Sequence, residues 1–146
     1  MNKISFIIHG KHRNSTSLIS SIRSAFGNQY EAIFSFTEFM GHAIELSKEA
    51  AQSGSKYIIG VCGDGILNEI VNGVMLSGNK EVIVGLLPHG TGNDFAKTVG
   101  VTNDVALLRQ MIELGSVRNL DLGLVNYKKE AGADAMRYFD NITDIF

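Results

Sequence analysis

C-G-D-G-I-L-N-E at Cys62 to Glu69 and P-H-G-T-G-N-D-F-A-K at Pro88 to Lys97 decide the fold of this chain. Each follows an apolar, strand-like run and leads into a helix-like one. Glycine at Gly63 and Gly65 lets the backbone reach positive φ and lets an anion approach the peptide N–H groups with no Cβ in the way. A helix starting near Ile66 would point its unpaired N–H groups and the positive end of its dipole into the same space. The second turn repeats the arrangement with Gly90 and Gly92, and adds the hydroxyl of Thr91 and the polar side chains of Asn93 and Asp94. Two such turns at the carboxyl ends of parallel strands would face one crevice, where ligands of open α/β sheets sit.

Working outward, Ile4-Ser5-Phe6-Ile7-Ile8 is a β-branched run suited to a buried parallel strand. Ser15 or Ser17 can cap a helix whose apolar positions Leu18, Ile19, Ile22 and Phe26 recur at helical spacing. Tyr30 to Phe36 reads as a second strand, and Thr37 as the cap of a helix carrying Ala43, Leu46 and Ala50 on one face. Lys56 to Val61 and Glu81 to Leu87 are the strands that feed the two glycine turns. A helix with a wide apolar stripe follows the first turn, and a short one to about Val99 follows the second. Asp104 caps a further amphipathic helix through Leu114, closed by Gly115. Beyond it Val117, Leu120, Leu122, Leu124 and Tyr127 alternate with polar residues, and Met136 to Phe146 reads as a returning strand.

Strands alternating with helices imply right-handed crossovers and an α/β fold, a three-layer, doubly wound, mostly parallel sheet. The tail departs from that plan and looks like the opening hairpin of a β-rich second lobe. The expected division is 1–125 for the first lobe and 126–146 for the start of the second.

At 146 residues the chain is one domain in size, with 45% apolar and 19% charged residues, so a real core is expected. The net charge of −2 gives no electrostatic footprint for nucleic acid. No apolar stretch is long enough to span a bilayer and the amino terminus lacks a signal-peptide pattern, which places the protein in the cytoplasm. The single cysteine, Cys62, excludes an internal disulfide and reads as a small buried side chain.

Phe6, Phe26, Phe34, Phe36 and Phe39 read as core. His42 and His89 flank the expected crevice as turn or helix-start residues, with a general-base role as the alternative. Asp94 reads as a helix cap rather than a metal ligand. Asp121 and the stretch from Asp140 to Asp144 form a candidate cation site, to which no metal is assigned.

Three segments together resemble the diacylglycerol kinase catalytic-domain family, which includes bacterial lipid kinases and sphingosine kinases. V-C-G-D-G-I-L-N-E-I-V-N-G-V is similar to the family's G-G-D-G-T-x-N-E-V-x-N-G. L-L-P-H-G-T-G-N-D-F-A-K is nearly identical to its P-x-G-T-G-N-D-F-A-R, and T-E-F-M-G-H-A-I-E-L-S-K-E-A-A is similar to its T-x-x-x-G-H-A-x-x-L-A-x-E-A. The resemblance implies an ATP-binding lobe folded like those of NAD kinase and phosphofructokinase, acting with Mg²⁺ on a lipid hydroxyl. Carried over by position, Gly63, Asp64, Gly65, Asn68 and Glu69 would line the ATP phosphates and ribose. Thr37 would sit at the nucleotide edge, and Thr91, with Gly90, Gly92 and Asn93 around it, would hold the nucleotide from the second turn. Asp64 is the expected catalytic residue, either orienting Mg²⁺ and phosphate or accepting the substrate proton.

The sequence departs from the family's pattern in three places. Cys62 replaces its first glycine and Ile66 its threonine, as a non-glycine and an aliphatic residue also do in sphingosine kinases. His9 and Gly10 stand where the first strand normally ends in N-P-x-x-G, with Lys11, His12 and Arg13 offering positive charge to a triphosphate. The family's proteins are about twice as long, with a β-rich second lobe that supplies part of the lipid site and further acidic residues. The implied function is the nucleotide-binding lobe of an ATP-dependent lipid kinase, weak or inactive alone, peripheral to the membrane where it meets its lipid. A homodimer is left open. The alternatives are a non-catalytic nucleotide-binding or interaction module, and an NAD kinase-like enzyme, which shares the G-D-G turn but fits G-T-G-N-D-F-A less well.

Overall fold

A computed structural model describes residues 1–89, 93, 96–97, 100 and 102–115, together with the backbone of two strands at 123–128 and 134–139. The chain runs β1 (Asn2–Ile8), a 3₁₀ turn (Gly10–His12), α1 (Thr16–Phe26), β2 (Tyr30–Phe36), α2 (His42–Gln52), β3 (Tyr57–Cys62), α3 (Asp64–Ser77), β4 (Ile83–Pro88), α4 (Val105–Glu113), β5 (Gly123–Lys128) and β6 (Asp134–Phe139). The first four strands form one parallel sheet in the order β2-β1-β3-β4. The central strands β1 and β3 are the apolar ones because helices cover both of their faces.

Alternation along these strands splits the core into two clusters. Ile4, Phe6 and Ile8 of β1 join Tyr57, Ile59 and Val61 of β3 against Ile22 and Phe26 of α1 and Leu108 of α4. Ile7, Ile58 and Cys62 face the other way, against Ala43 and Ala51 of α2 and Leu67, Ile70 and Val74 of α3. Three layers result, as the sequence implied. Gly60 belongs to the second face, where a Cβ would come within 2.8 Å of Ile70 Cδ1, so its bareness lets α3 settle on β3.

One local expectation changes. Thr37 does not cap α2, whose first turn begins after Gly41 in the left-handed region at φ 90°. The parallel register sets Ile8 opposite Phe36, so the next N–H along β2, that of Thr37, donates to the Ile8 carbonyl and extends the ladder. The tail keeps to the expected hairpin: β5 and β6 pair antiparallel in a sheet of their own, with Val125 opposite Arg137. The returning strand is described as far as Phe139, and 140–146 lie outside the described residues. Asp104 caps α4 as read, accepting from the Leu107 N–H at 3.1 Å, and Gly115 follows at φ 65°.

Candidate functional site

A cavity of about 1030 Å³, at the upper limit of the size of small-molecule sites, opens at the carboxyl ends of β1, β2 and β3. Its first wall is the segment after β1, with His9, Gly10, Lys11 and Arg13. The second is the loop after β2, with Thr37, Glu38, Phe39 and Met40. The floor is the β3–α3 turn, with Gly63, Asp64, Gly65 and Ile66, joined by Glu69 one turn further on and by Asn93.

The floor carries the chemistry. Gly63 is the N-cap residue of α3 and brings no capping side chain of its own to the N–H groups that open the helix. They belong to residues in the cavity wall, and the 14-residue helix behind them adds its dipole. The reason for the glycines differs from the expectation, since neither Gly63 nor Gly65 has positive φ. Gly63 is extended at φ −96°, ψ −168°, and Gly65 is helical with nothing within 4 Å of where its Cβ would stand. Absence of a side chain keeps the floor open. Asn93 in the second turn has φ 53°, in the left-handed region where asparagine is enriched among non-glycine residues.

The two walls are tied together. The Gly10 N–H donates to Thr37 Oγ1 at 3.1 Å, and a Cβ on Gly10 would collide with the Thr37 carbonyl. Arg13 reaches Glu38 at 3.3 Å in an exposed ion pair that contributes little stability. Phe39, expected in the core, is 55% exposed at the rim, its ring stacked on His42 at 4.4 Å. Sequence reasoning missed it because Thr37 to Gly41 is loop, so helical spacing does not govern which way Phe39 points. Phe6 and Phe26 are buried and Phe34 and Phe36 pack against the core as read.

The structure thus brings Thr37, Gly63, Asp64, Gly65, Glu69 and Asn93 to one cavity. Asn68 is not in its wall; its side-chain oxygen accepts from Asn72 Nδ2 at 3.3 Å. Gly90, Thr91, Gly92 and Asp94 lie outside the described residues, as do Asp121 and 140–146. His42 Nδ1 accepts from the Glu38 N–H at 3.0 Å, the turn role expected of it.

The diacylglycerol kinase catalytic domain model matches residues 3–125. The chain belongs to that family. It is 37% identical over 98 residues to a diacylglycerol kinase of Bacillus subtilis, covering 66% of this chain and 32% of the relative. It is 34% identical over 126 residues to a Pseudomonas syringae protein named "Probable lipid kinase YegS-like", covering 84% of this chain and 39% of that one. Among solved structures, a diacylglycerol kinase from Bacillus anthracis superposes with a TM-score of 0.68 at 26% identity, over 91% of this chain and 45% of that one. This diacylglycerol kinase family chain therefore spans less than half the length of these relatives.

Its departures from the family pattern have visible places. Cys62 is fully buried in the α3-side cluster, a core residue as expected. Ile66 lines the cavity, so an aliphatic chain stands where the family's hydroxyl would be. Among the described residues no group of three or more His, Cys, Asp or Glu side chains is placed to hold a metal. Asp64 is the aspartate in the cavity wall.

His9 and His89 are both held below the usual 6.5. For His9 burial acts first, then Lys11 and His12, against an opposing pull from Glu69. For His89 burial acts first, then His12 and Lys11. The unfolded chain therefore binds protons here that the folded chain refuses. This part of the stability is complete above the unfolded value of 6.5 and is lost as pH falls towards the lower folded values. The melting temperature should fall between pH 7.5 and 5.5, about as expected for group titrations in this range, and less steeply in His89→Asn. Equal slopes in the two proteins would refute the assignment.

Proposed function

We propose that this chain is the nucleotide-binding lobe of an ATP-dependent lipid kinase that moves the γ-phosphate of ATP to a lipid hydroxyl such as that of diacylglycerol. The observation that carries the reading is the glycine-capped amino terminus of α3, opening into a cavity that also gathers Thr37, Asp64 and Glu69. The relatives' names support the lipid acceptor. We place the lobe at 1–125 and read 126–146 as the opening of the second; the separate β5–β6 sheet, which starts at Gly123, supports a second unit that begins close to that boundary.

Phosphoryl transfer asks mainly for positioning and charge neutralisation. The N–H groups of Asp64 and Gly65 would hold phosphate oxygens, with Gly90, Thr91, Gly92 and Asn93 closing on them from the second turn. Thr37 and the Phe39 ring would meet the nucleoside end, with Glu69 towards the ribose, while Asn68, outside the wall, would act only on the helix behind it. Magnesium, when bound, neutralises charge on the β- and γ-phosphates, with Asp64 as its protein ligand. The acceptor oxygen bonds to the γ-phosphorus as the bond to ADP breaks, and its proton leaves to a base, the alternative role for Asp64. Among the described residues no helix is long and apolar enough to cross a membrane, consistent with a lobe that meets lipid from outside the bilayer.

ATP with Mg²⁺ at about a hundredfold excess over Kd should raise the melting temperature by roughly 5–10 °C, from about 2.7 kcal/mol of binding linkage. Asp64→Ala should weaken binding about tenfold and cut that shift by about half. No shift at millimolar ATP would sink the reading in favour of a module that binds no nucleotide. Because the chain spans 32–45% of its relatives, little phosphate should pass from labelled ATP to diacylglycerol, sphingosine or NAD. Transfer by this chain alone would show that it needs no second lobe, and the acceptor would separate lipid kinase from NAD kinase.

A further inference from the structure

Three imidazoles gather over the carboxyl end of β3. The backbone N–H of His9 donates to the Val61 carbonyl at 3.1 Å and that of His89 to the Cys62 carbonyl at 2.9 Å, so both residues flank the strand that enters the first glycine turn. His12 stands between them, its ring centroid 6.4 Å from that of His9 and 5.3 Å from that of His89. Among the described residues its buried Nε2 has no hydrogen-bond partner, and a buried polar atom left so calls for an explanation. His9 is the member of the cluster in the cavity wall, where its Nδ1 accepts from the Lys11 N–H at 3.0 Å. In the neutral ring the proton is then on Nε2, a donor available to an anion.

We propose that His9, His12 and His89 make capture of a nucleotide's phosphates proton-linked, the cluster taking up a proton as the polyanion docks. The inference rests on the nucleotide reading above and adds a property to it. In the empty protein burial, the neighbouring rings and Lys11 keep His9 and His89 neutral, with Glu69 alone pulling His9 the other way. A triphosphate beside the α3 amino terminus reverses that balance, since a nearby opposite charge favours the charged imidazole. Affinity then rises as pH falls through the bound-state value and levels off below the free-state one. The cluster also joins the two glycine turns physically, His9 beside the first and His89 at the entrance of the second.

Calorimetric titration of the 146-residue chain with magnesium-saturated ATP, in buffers of different ionisation enthalpy, reads the proton count directly. Near pH 7 the protein should take up about half a proton more than His9→Asn or His12→Asn does under the same conditions. That comparison cancels the nucleotide's own titration. Its affinity should rise about three- to tenfold from pH 8.0 to 6.5, beyond the change seen in either variant. His9→Asn keeps an acceptor for the Lys11 N–H, and melting curves without nucleotide establish that each variant folds. Equal proton uptake in all three proteins overturns the proposal, as does an affinity loss in the variants that is the same at every pH. No binding at any pH would instead sink the nucleotide reading itself.

Discussion

Gly73→Val should destabilise the protein by about 3 kcal/mol and lower its melting temperature by roughly 6–12 °C. Gly73 lies on α3 where that helix crosses α2, and a Cβ there would run into the Ser47 hydroxyl and the Ile44 carbonyl. Ser47 is fully buried, and its hydroxyl already donates to the Ala43 carbonyl at 2.6 Å and lies 3.2 Å from that of Ile44. The side chain cannot swing away without leaving polar groups unpaired, and the carbonyl moves only if α2 moves. Valine's better helix propensity returns only a few tenths of a kcal/mol. Gly73→Ala should cost less, and Ser47→Gly should recover part of that cost by removing one of the two obstacles. Denaturant midpoints would check the order. An unchanged midpoint for Gly73→Val would mean that α2 and α3 do not approach as closely as described. The crossing also sets the spacing between the loop before α2 and the turn before α3, so the cavity should deform with it.

That crossing shows where sequence reasoning stops. The parallel sheet was legible because β1 and β3 are unbroken apolar runs and because helical spacing recurs after each of them. The position of α3 was legible from its stripe, though the helix starts at Asp64 rather than near Ile66. What Gly73 and Gly60 are for was not legible, because a glycine's spelling does not say whether it serves φ or space. The positive-φ glycines among the described residues, Gly41, Gly54, Gly78, Gly100 and Gly115, do not include the pair in the first turn. Thr37 misled for a related reason: the hydrogen bond that holds its N–H comes from Ile8, 29 positions earlier by residue number. The histidine cluster depends on strand order. His12 and His89 meet only because β1 and β4 both neighbour β3, and nothing local to either residue reports that.

Gly65→Ala should separate fold from function. At the second position of α3 the added methyl meets nothing within 4 Å, and alanine is the better helix former. Stability should therefore rise by about 0.5 kcal/mol, worth roughly 1–2 °C. Gly65 also lines the cavity floor, where, on the proposed reading, a phosphate would approach the helix N–H groups. Loss of hydrogen bonds to a charged ligand costs about 1.5–3 kcal/mol, so ATP affinity should fall about ten- to a hundredfold and most of the thermal shift should vanish. The contrast with Gly73→Val is diagnostic, since one glycine leaves room for a neighbouring helix and the other for a ligand. Asp64→Ala tests charge, whereas Gly65→Ala tests access, and the two should combine non-additively if they serve one phosphate. A stable Gly65→Ala protein with an undiminished response to ATP would show that the phosphates sit elsewhere than on the amino terminus of α3.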